Sequence, residues 1–249
     1  MSMRDSERGK GHGHRGGPTR TSRRTFLKSV VAATPALGLL GCGPRHGSAQ
    51  ARTPVYFTPD EATFIDAATQ RLIPADDLGG GANEAGITTF IDLQLAGAYG
   101  RAERWYMQGP WPHGIDQQGF QLRYTPAQIY RDAIGRVEAH CRQQHGKPFA
   151  QLDPAHQDEL LHALEKGELD LGDIPAKTFF AMLWQNTQEG YLADPAYSGN
   201  RDFAGWKLIG FPGPRYNYVE DIGKFGKPYQ APFVSLVGRD PSAYLRGES

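Results

Sequence analysis

Thr58-Pro59-Asp60-Glu61 and Thr125-Pro126-Ala127-Gln128 share a pattern that forces a helix to begin. In each, a threonine hydroxyl caps the first turn and a proline sits where no backbone N–H is needed. A Glu or Gln at the third helical position then closes the capping box. Apolar residues follow at helical spacing: Phe64, Ile65, Ala68 and Leu72 after the first box, and Ile129, Tyr130, Ala133, Ile134, Val137 and Cys141 after the second. Asp153-Pro154-Ala155-His156-Gln157 opens another such segment, with Leu160, Leu161 and Leu164 on its inner face. Asp173-Ile174-Pro175 opens the last long one, with Phe179, Phe180, Leu183 and Trp184 inward. Thr88 to Tyr99 reads as a further helix through Phe90, Ile91, Leu93, Leu95 and Ala98. The expected stops are Pro74, Gly146 with Pro148, Gly167 and Gly190. The expected fold class is therefore mainly α, an irregular helical domain.

Two stretches break this pattern. Gly100 to Arg123 sets Trp105, Tyr106, Trp111 and Phe120 among Gly and Pro, and reads as loop or short strands laid on the helices. Leu183 to Gly213 begins as the end of a helix and becomes a segment rich in Gly, Pro and aromatics. Beyond it, Tyr216, Tyr218, Phe225, Tyr229 and Phe233 alternate with prolines, so the chain ends in a long Gly/Pro/aromatic-rich C-terminal arm. Loops of this length are functional or disordered, and so many aromatics argue for order. Such a surface must be covered, by its own core or by a partner.

Charge divides the chain. Residues 1–51 hold nine Lys/Arg against two acids, a segment charge of +7, and since the formal net charge is 0 the remainder carries −7. An acidic body does not suit nucleic acid, whose phosphates need a basic face. The basic segment contains Ser22-Arg23-Arg24-Thr25-Phe26-Leu27-Lys28, a complete twin-arginine export motif, followed by an apolar run too short to span a membrane. Two cleavage points compete. Ala49-Gln50-Ala51 fits the small-x-small rule, making 1–51 a cleaved leader and 52–249 a single mature domain. Leu39-Leu40-Gly41-Cys42 resembles a lipobox, in which Cys42 would carry lipid. The twin-arginine route carries proteins already folded, usually around a cofactor.

The body offers little to hold one. It has no Gly-x-Gly-x-x-Gly after a strand, no P-loop, no Cys-x-x-Cys, no Gly-x-Ser-x-Gly and no His-Glu-x-x-His. Asp76-Asp77-Leu78-Gly79-Gly80-Gly81 lacks the alternating ligands of a calcium loop and reads as a turn. Cys141 and His145 share a helix face, which leaves three readings: a buried thiol, a reactive pair, or an intersubunit disulfide. His156 and His162, six apart, do not share a face. In the long loop, Asp194, Asn200 and Arg201 bond within the loop or to a partner; no nucleophile–base pair stands out there. Trp184, Tyr191, Trp206 and Phe211 close the core or anchor a partner. Either the site is cryptic or the folded cargo is another chain travelling with this one.

The leader, Phe57-Thr58-Pro59-x-Glu61, Leu72-Ile73-Pro74-Ala75-Asp76 and the run from Trp184 to Gly213 together resemble the gluconate 2-dehydrogenase subunit 3 family. Its most specific stretches are Gly190-Tyr191-x-Ala193-Asp194-Pro195, Gly199-Asn200 and Gly205-Trp206-Lys207-x-Ile209-Gly210-Phe211-Pro212-Gly213. The resemblance implies a small subunit without cofactor or catalytic residues. Its partner would be an FAD-dependent large subunit of the glucose–methanol–choline type acting on a sugar or polyol. A multihaem cytochrome c often completes such complexes. The small subunit would support maturation of the flavoprotein and lend it the leader built on Arg23, Arg24, Phe26 and Leu27, giving a periplasmic, membrane-associated complex. Two rivals are a stand-alone periplasmic enzyme with a cryptic site in the Trp184–Gly213 loop, and a lipid-anchored structural protein.

Overall fold

A computed structural model describes residues 53–112, 114–229 and 231–236. The leader, with Arg23, Arg24, Phe26, Leu27 and Cys42, lies outside them. Among the described residues there are seven α-helices: α1 (Pro59–Leu72), α2 (Ala82–Ala85), α3 (Ile87–Ala96), α4 (Pro126–His145), α5 (Pro154–Lys166), α6 (Ala176–Leu192) and α7 (Ala204–Ile209). No β-strand occurs among the described residues, so Gly100 to Arg123 is loop and a single 3-10 turn. Trp105 packs there between the rings of Tyr99 and Phe120, at 5.9 and 4.7 Å.

The caps form as the sequence dictates. Thr58 Oγ1 accepts from Glu61 N at 3.3 Å while Glu61 Oε2 accepts from Thr58 N at 2.8 Å. Thr125 and Gln128 repeat the exchange at 3.3 and 2.9 Å. Asp153 accepts from the amides of Ala155 and His156, both at 3.1 Å. Gly146 and Gly167 end α4 and α5 in left-handed geometry.

Helix α6 is central, packing against α1, α2, α3, α4, α5 and α7. Phe179 on it meets Tyr130 of α4 edge-on, with ring centres 5.6 Å apart. Phe64 of α1 leans on Phe149 at 4.9 Å. The inner faces expected for α1, α4 and α5 are buried, apart from the half-buried Leu72.

Three expectations need correction. The helix expected over Thr88–Tyr99 is shorter, and a one-turn helix precedes it. Gly86, at φ +76°, ends α2 and begins α3, and Gly97 stops α3 before Ala98 and Tyr99. Four residues are too few to show a period, which is why α2 is invisible in the sequence. Asp173 does not cap α6. Pro175 takes that position, and the Asp173 carboxylate instead accepts from Arg123 Nη2 and Tyr124 Oη at 2.9 and 3.0 Å. Gly190 does not end α6, which runs on to Leu192. The buried stripe of α6 passes through Phe179, Leu183, Asn186, Thr187 and Gly190, leaving Phe180 and Trp184 half-buried at its edge.

One buried carboxylate ties the start of the body to the bundle. Asp92 on α3, 4% exposed, accepts from the backbone amides of Val55, Tyr56 and Phe57 at 2.7, 2.8 and 2.8 Å. Three N–H donors replace the water a carboxylate loses on burial. Arg131 of α4 reinforces the clasp: its Nη2 donates to Tyr56 O at 2.9 Å and its guanidinium lies 4.4 Å from the centre of the Tyr56 ring. Replacing Asp92 by Ala strands those donors. Urea denaturation is expected to show a loss of about 2–4 kcal/mol, the range for removing a buried charged acceptor.

Candidate functional site

Where α6 crosses α3 the two helices touch through a glycine. A Cβ placed on Gly190 would stand 2.7 Å from Cδ1 of Phe90 and 3.2 Å from Cδ1 of Ile87. Only the bare backbone lets the Phe90 ring come this close to α6. The chain leaves α6 at Leu192, turns at Asp194-Pro195, and comes back over the helix end. Gly199 and Gly205 meet it there, each too close to a carbonyl, of Gly190 and of Tyr191, for any side chain to fit.

Asn200 holds the returning strand of chain in place. It is fully buried, with φ +48°, a left-handed geometry that asparagine tolerates better than most residues. Its Nδ2 donates to Ala193 O at 2.8 Å, and its Oδ1 accepts from Gly205 N at 2.8 Å. One amide thus bridges the two limbs of the loop. Asp194 works beside it, accepting from Ala196 N at 2.9 Å and from Leu236 N at 2.8 Å. Tyr191 is buried and donates from its hydroxyl to Gly80 O at 2.6 Å. Trp206 is buried and donates from Nε1 to Leu192 O at 2.8 Å. Phe203 stacks on Trp206 at 5.6 Å, and Phe211 meets Trp206 edge-on at 5.0 Å. Arg201 reaches from the loop across Gly86 to Thr89, with Nη2–Oγ1 at 3.0 Å.

Ser198, Asn200, Asp202 and Phe203 all have positive φ, from +48° to +70°. Each such residue costs about 1–3 kcal/mol and persists only where the surroundings over-determine it. Here the Asn200 bridge and the Phe203–Trp206 stack do so.

Beside the loop, Phe90, Gln94, Gln188, Glu189, Leu192 and Tyr197 help to line an open groove of about 630 Å³ between α3 and α6. Glu189 sits at its mouth and accepts from Asn186 Nδ2 at 3.2 Å and Gln185 Nε2 at 2.7 Å. Behind it, Tyr130 and Tyr99 both donate to Asn186 Oδ1, at 2.8 and 3.1 Å. Burial pushes the Tyr99 phenol up to about 12. These hydrogen bonds tie α6 to α4 and to the chain that follows α3.

The other polar clusters bond within the chain. Asp76 accepts from the amides of Leu78 and Gly79 and closes a turn. His156 bonds Asp153 at 2.6 Å while its ring lies 5.0 Å from that of His145. Among the described residues no group of three His, Cys, Asp or Glu is placed to hold a metal ion. Cys141 is fully buried, and burial raises its thiol to about 11. The sulfur lies inside the core, so an intersubunit disulfide or a reactive pair with His145 would need Cys141 to be uncovered first.

A family model described as gluconate 2-dehydrogenase subunit 3 matches residues 59–213, well over half of the chain. The chain belongs to the gluconate 2-dehydrogenase subunit 3 family. The match starts at the first residue of α1 and stops at Gly213, so it takes in all seven helices and the whole returning loop. Neither the curated proteins nor the solved structures gave a match.

Of the residues singled out in the sequence of this subunit 3 chain, Tyr191, Asn200 and Trp206 are buried in its own fold. Asp194 and Arg201 are half-buried and bonded within the chain. Phe211 remains 38% exposed, and Trp184 is half-buried on α6. Sequence reasoning missed Asp92. Asp92 did leave a signal, a lone acid between Ile91 and Leu93 in an apolar helix.

Asn200→Ala leaves Ala193 O and Gly205 N unpaired at a buried, positive-φ position. Thermal or urea unfolding is expected to show a loss of about 2–4 kcal/mol. In the native chain at pH 8, Cys141 is expected to resist a thiol reagent until denaturant is added, because the group is both buried and protonated.

Proposed function

We propose that this chain is the non-catalytic small subunit of a gluconate 2-dehydrogenase-type complex, and that it supports maturation and twin-arginine export of an FAD-containing large subunit. The observation that carries this reading is the family match across the whole helical body, 59–213. One feature of the chain supports it. The loop in which a cryptic site was expected uses its side chains on the chain itself: Asn200, Tyr191 and Trp206 all bond this chain's own backbone. The flavin would sit in the large subunit. A sugar or polyol would be oxidised there, and a multihaem cytochrome c would pass the electrons on.

The leader completes the reading. Residues 1–51 would act as the export signal and residues 52–249 as the subunit itself. The complex would be periplasmic and attached to the membrane through its other subunits or through lipid on Cys42. A twin-arginine leader would suit a carrier of a cofactor-loaded partner. The outward residues of the loop, Phe211 among them, would meet that partner.

Arg23→Lys with Arg24→Lys is expected to leave dye-linked dehydrogenase activity in the cytoplasm. Activity that still reaches the periplasm would overturn the carrier role. Purified alone, the chain is expected to reduce no artificial acceptor with any sugar or polyol offered, and turnover would establish the stand-alone enzyme instead.

A further inference from the structure

The groove between α3 and α6 is left unfilled by its own chain, unlike the loop beside it. Its walls come in pairs one helical turn apart, Phe90 and Gln94 on α3 and Gln188 and Leu192 on α6. Tyr197, from the turn after α6, adds a third wall. Leu192 and Tyr197 are 44% and 54% exposed, so the apolar part of the groove faces outward. A polar frame surrounds it. Among the described residues the side-chain amides of Gln94 and Gln188 make no hydrogen bond. Glu189 is set differently. Gln185 Nε2 and Asn186 Nδ2 donate to its two oxygens, and among the described residues no Lys, Arg or His pairs with it. Neutral amides orient a carboxylate without offsetting its charge.

We infer that this groove receives a segment of the dehydrogenase large subunit that offers a large apolar side chain with an arginine or lysine beside it. The inference rests on the reading of this chain as that enzyme's small subunit. The apolar side chain lies against Phe90 and Leu192, and the cation meets Glu189 at the mouth. The amides of Gln94 and Gln188 take up backbone N–H and C=O groups of the incoming segment, which cannot be buried unpaired without cost. Each Glu189 oxygen already accepts one amide and keeps room for a second donor, which suits the fork of an arginine. Charge separates this occupant from two others. A second copy brings another acidic body, with −7 over residues 52–249, and like charges repel. An anionic lipid surface is repelled by Glu189 itself.

The test co-expresses the tagged full-length chain with the flavoprotein and measures how much flavin-loaded dehydrogenase it retains on resin. Glu189→Arg reverses the charge in the groove, and Glu159→Arg makes the same change on α5, outside it. A second groove variant, Leu192→Ser with Tyr197→Ser, alters exposed side chains only, so its melting temperature is expected to match the native one. Retention is expected to fall about tenfold or more in both groove variants and to stay unchanged in Glu159→Arg. Native retention in the Leu192/Tyr197 variant, or an equal loss from Glu159→Arg, overturns the inference. A benzoylphenylalanine photo-crosslinker in place of Tyr197 is expected to join the large subunit at a stretch containing Arg or Lys. An adduct with a second copy of this chain or with lipid, or no adduct, overturns it as well. A native chain that retains no dehydrogenase overturns the small-subunit reading itself, an outcome distinct from retention that ignores the groove.

Discussion

The contact of Gly190 with Phe90 sets the geometry on which the rest of this molecule depends. Helix α6 is the element every other described helix packs against, and it approaches α3 closely only because Gly190 offers no side chain. The carbonyls at the end of α6 have no partners within the helix and meet the chain that follows. Gly199 and Gly205 then lie on those carbonyls, Asn200 bridges the limbs, and Trp206 closes over Leu192 O. Interiors packed at this density do not absorb an added methyl group without shifting their neighbours, commonly at about 1–3 kcal/mol.

A loop built this way is a scaffold. Four positive-φ residues in six positions hold a shape the chain would not choose, and the groups that hold them belong to the chain itself. Active-site loops also store strain, but they aim reactive groups outward. In this loop the polar groups satisfy one another, and the tyrosine network beneath the α3–α6 groove is fixed by Asn186. An accessory subunit needs a surface of stable shape more than it needs chemistry, which agrees with membership in the gluconate 2-dehydrogenase subunit 3 family.

Local rules were legible in the sequence and long-range ones were not. The capping boxes at Thr58 and Thr125, the Asp153 cap and the Gly146 and Gly167 stops each depend on residues within four positions, and each forms. Gly190 misled because the rule for helix ends counts a glycine as a stop, whereas the helix crossing required it as a gap. Asp173 misled in the same way: it fits a cap, but Arg123 and Tyr124, far off in sequence, hold its carboxylate. Asn200 was expected to bond within the loop or to a partner, and its reach to both Ala193 and Gly205 comes only from the folded path. Asp92 makes its bonds to amides 35 to 37 residues away, a separation that no periodicity carries.

The central claim, that the returning loop is ordered by its own chain, is tested most directly by amide hydrogen exchange on the isolated subunit. The amide of Gly205, bonded to Asn200 Oδ1, is expected to exchange together with the core amides of α6, in one cooperative unit. Exchange of Gly205 at the rate of an unstructured peptide, with α6 still protected, would contradict the account and show that the loop takes its shape only when a partner covers it.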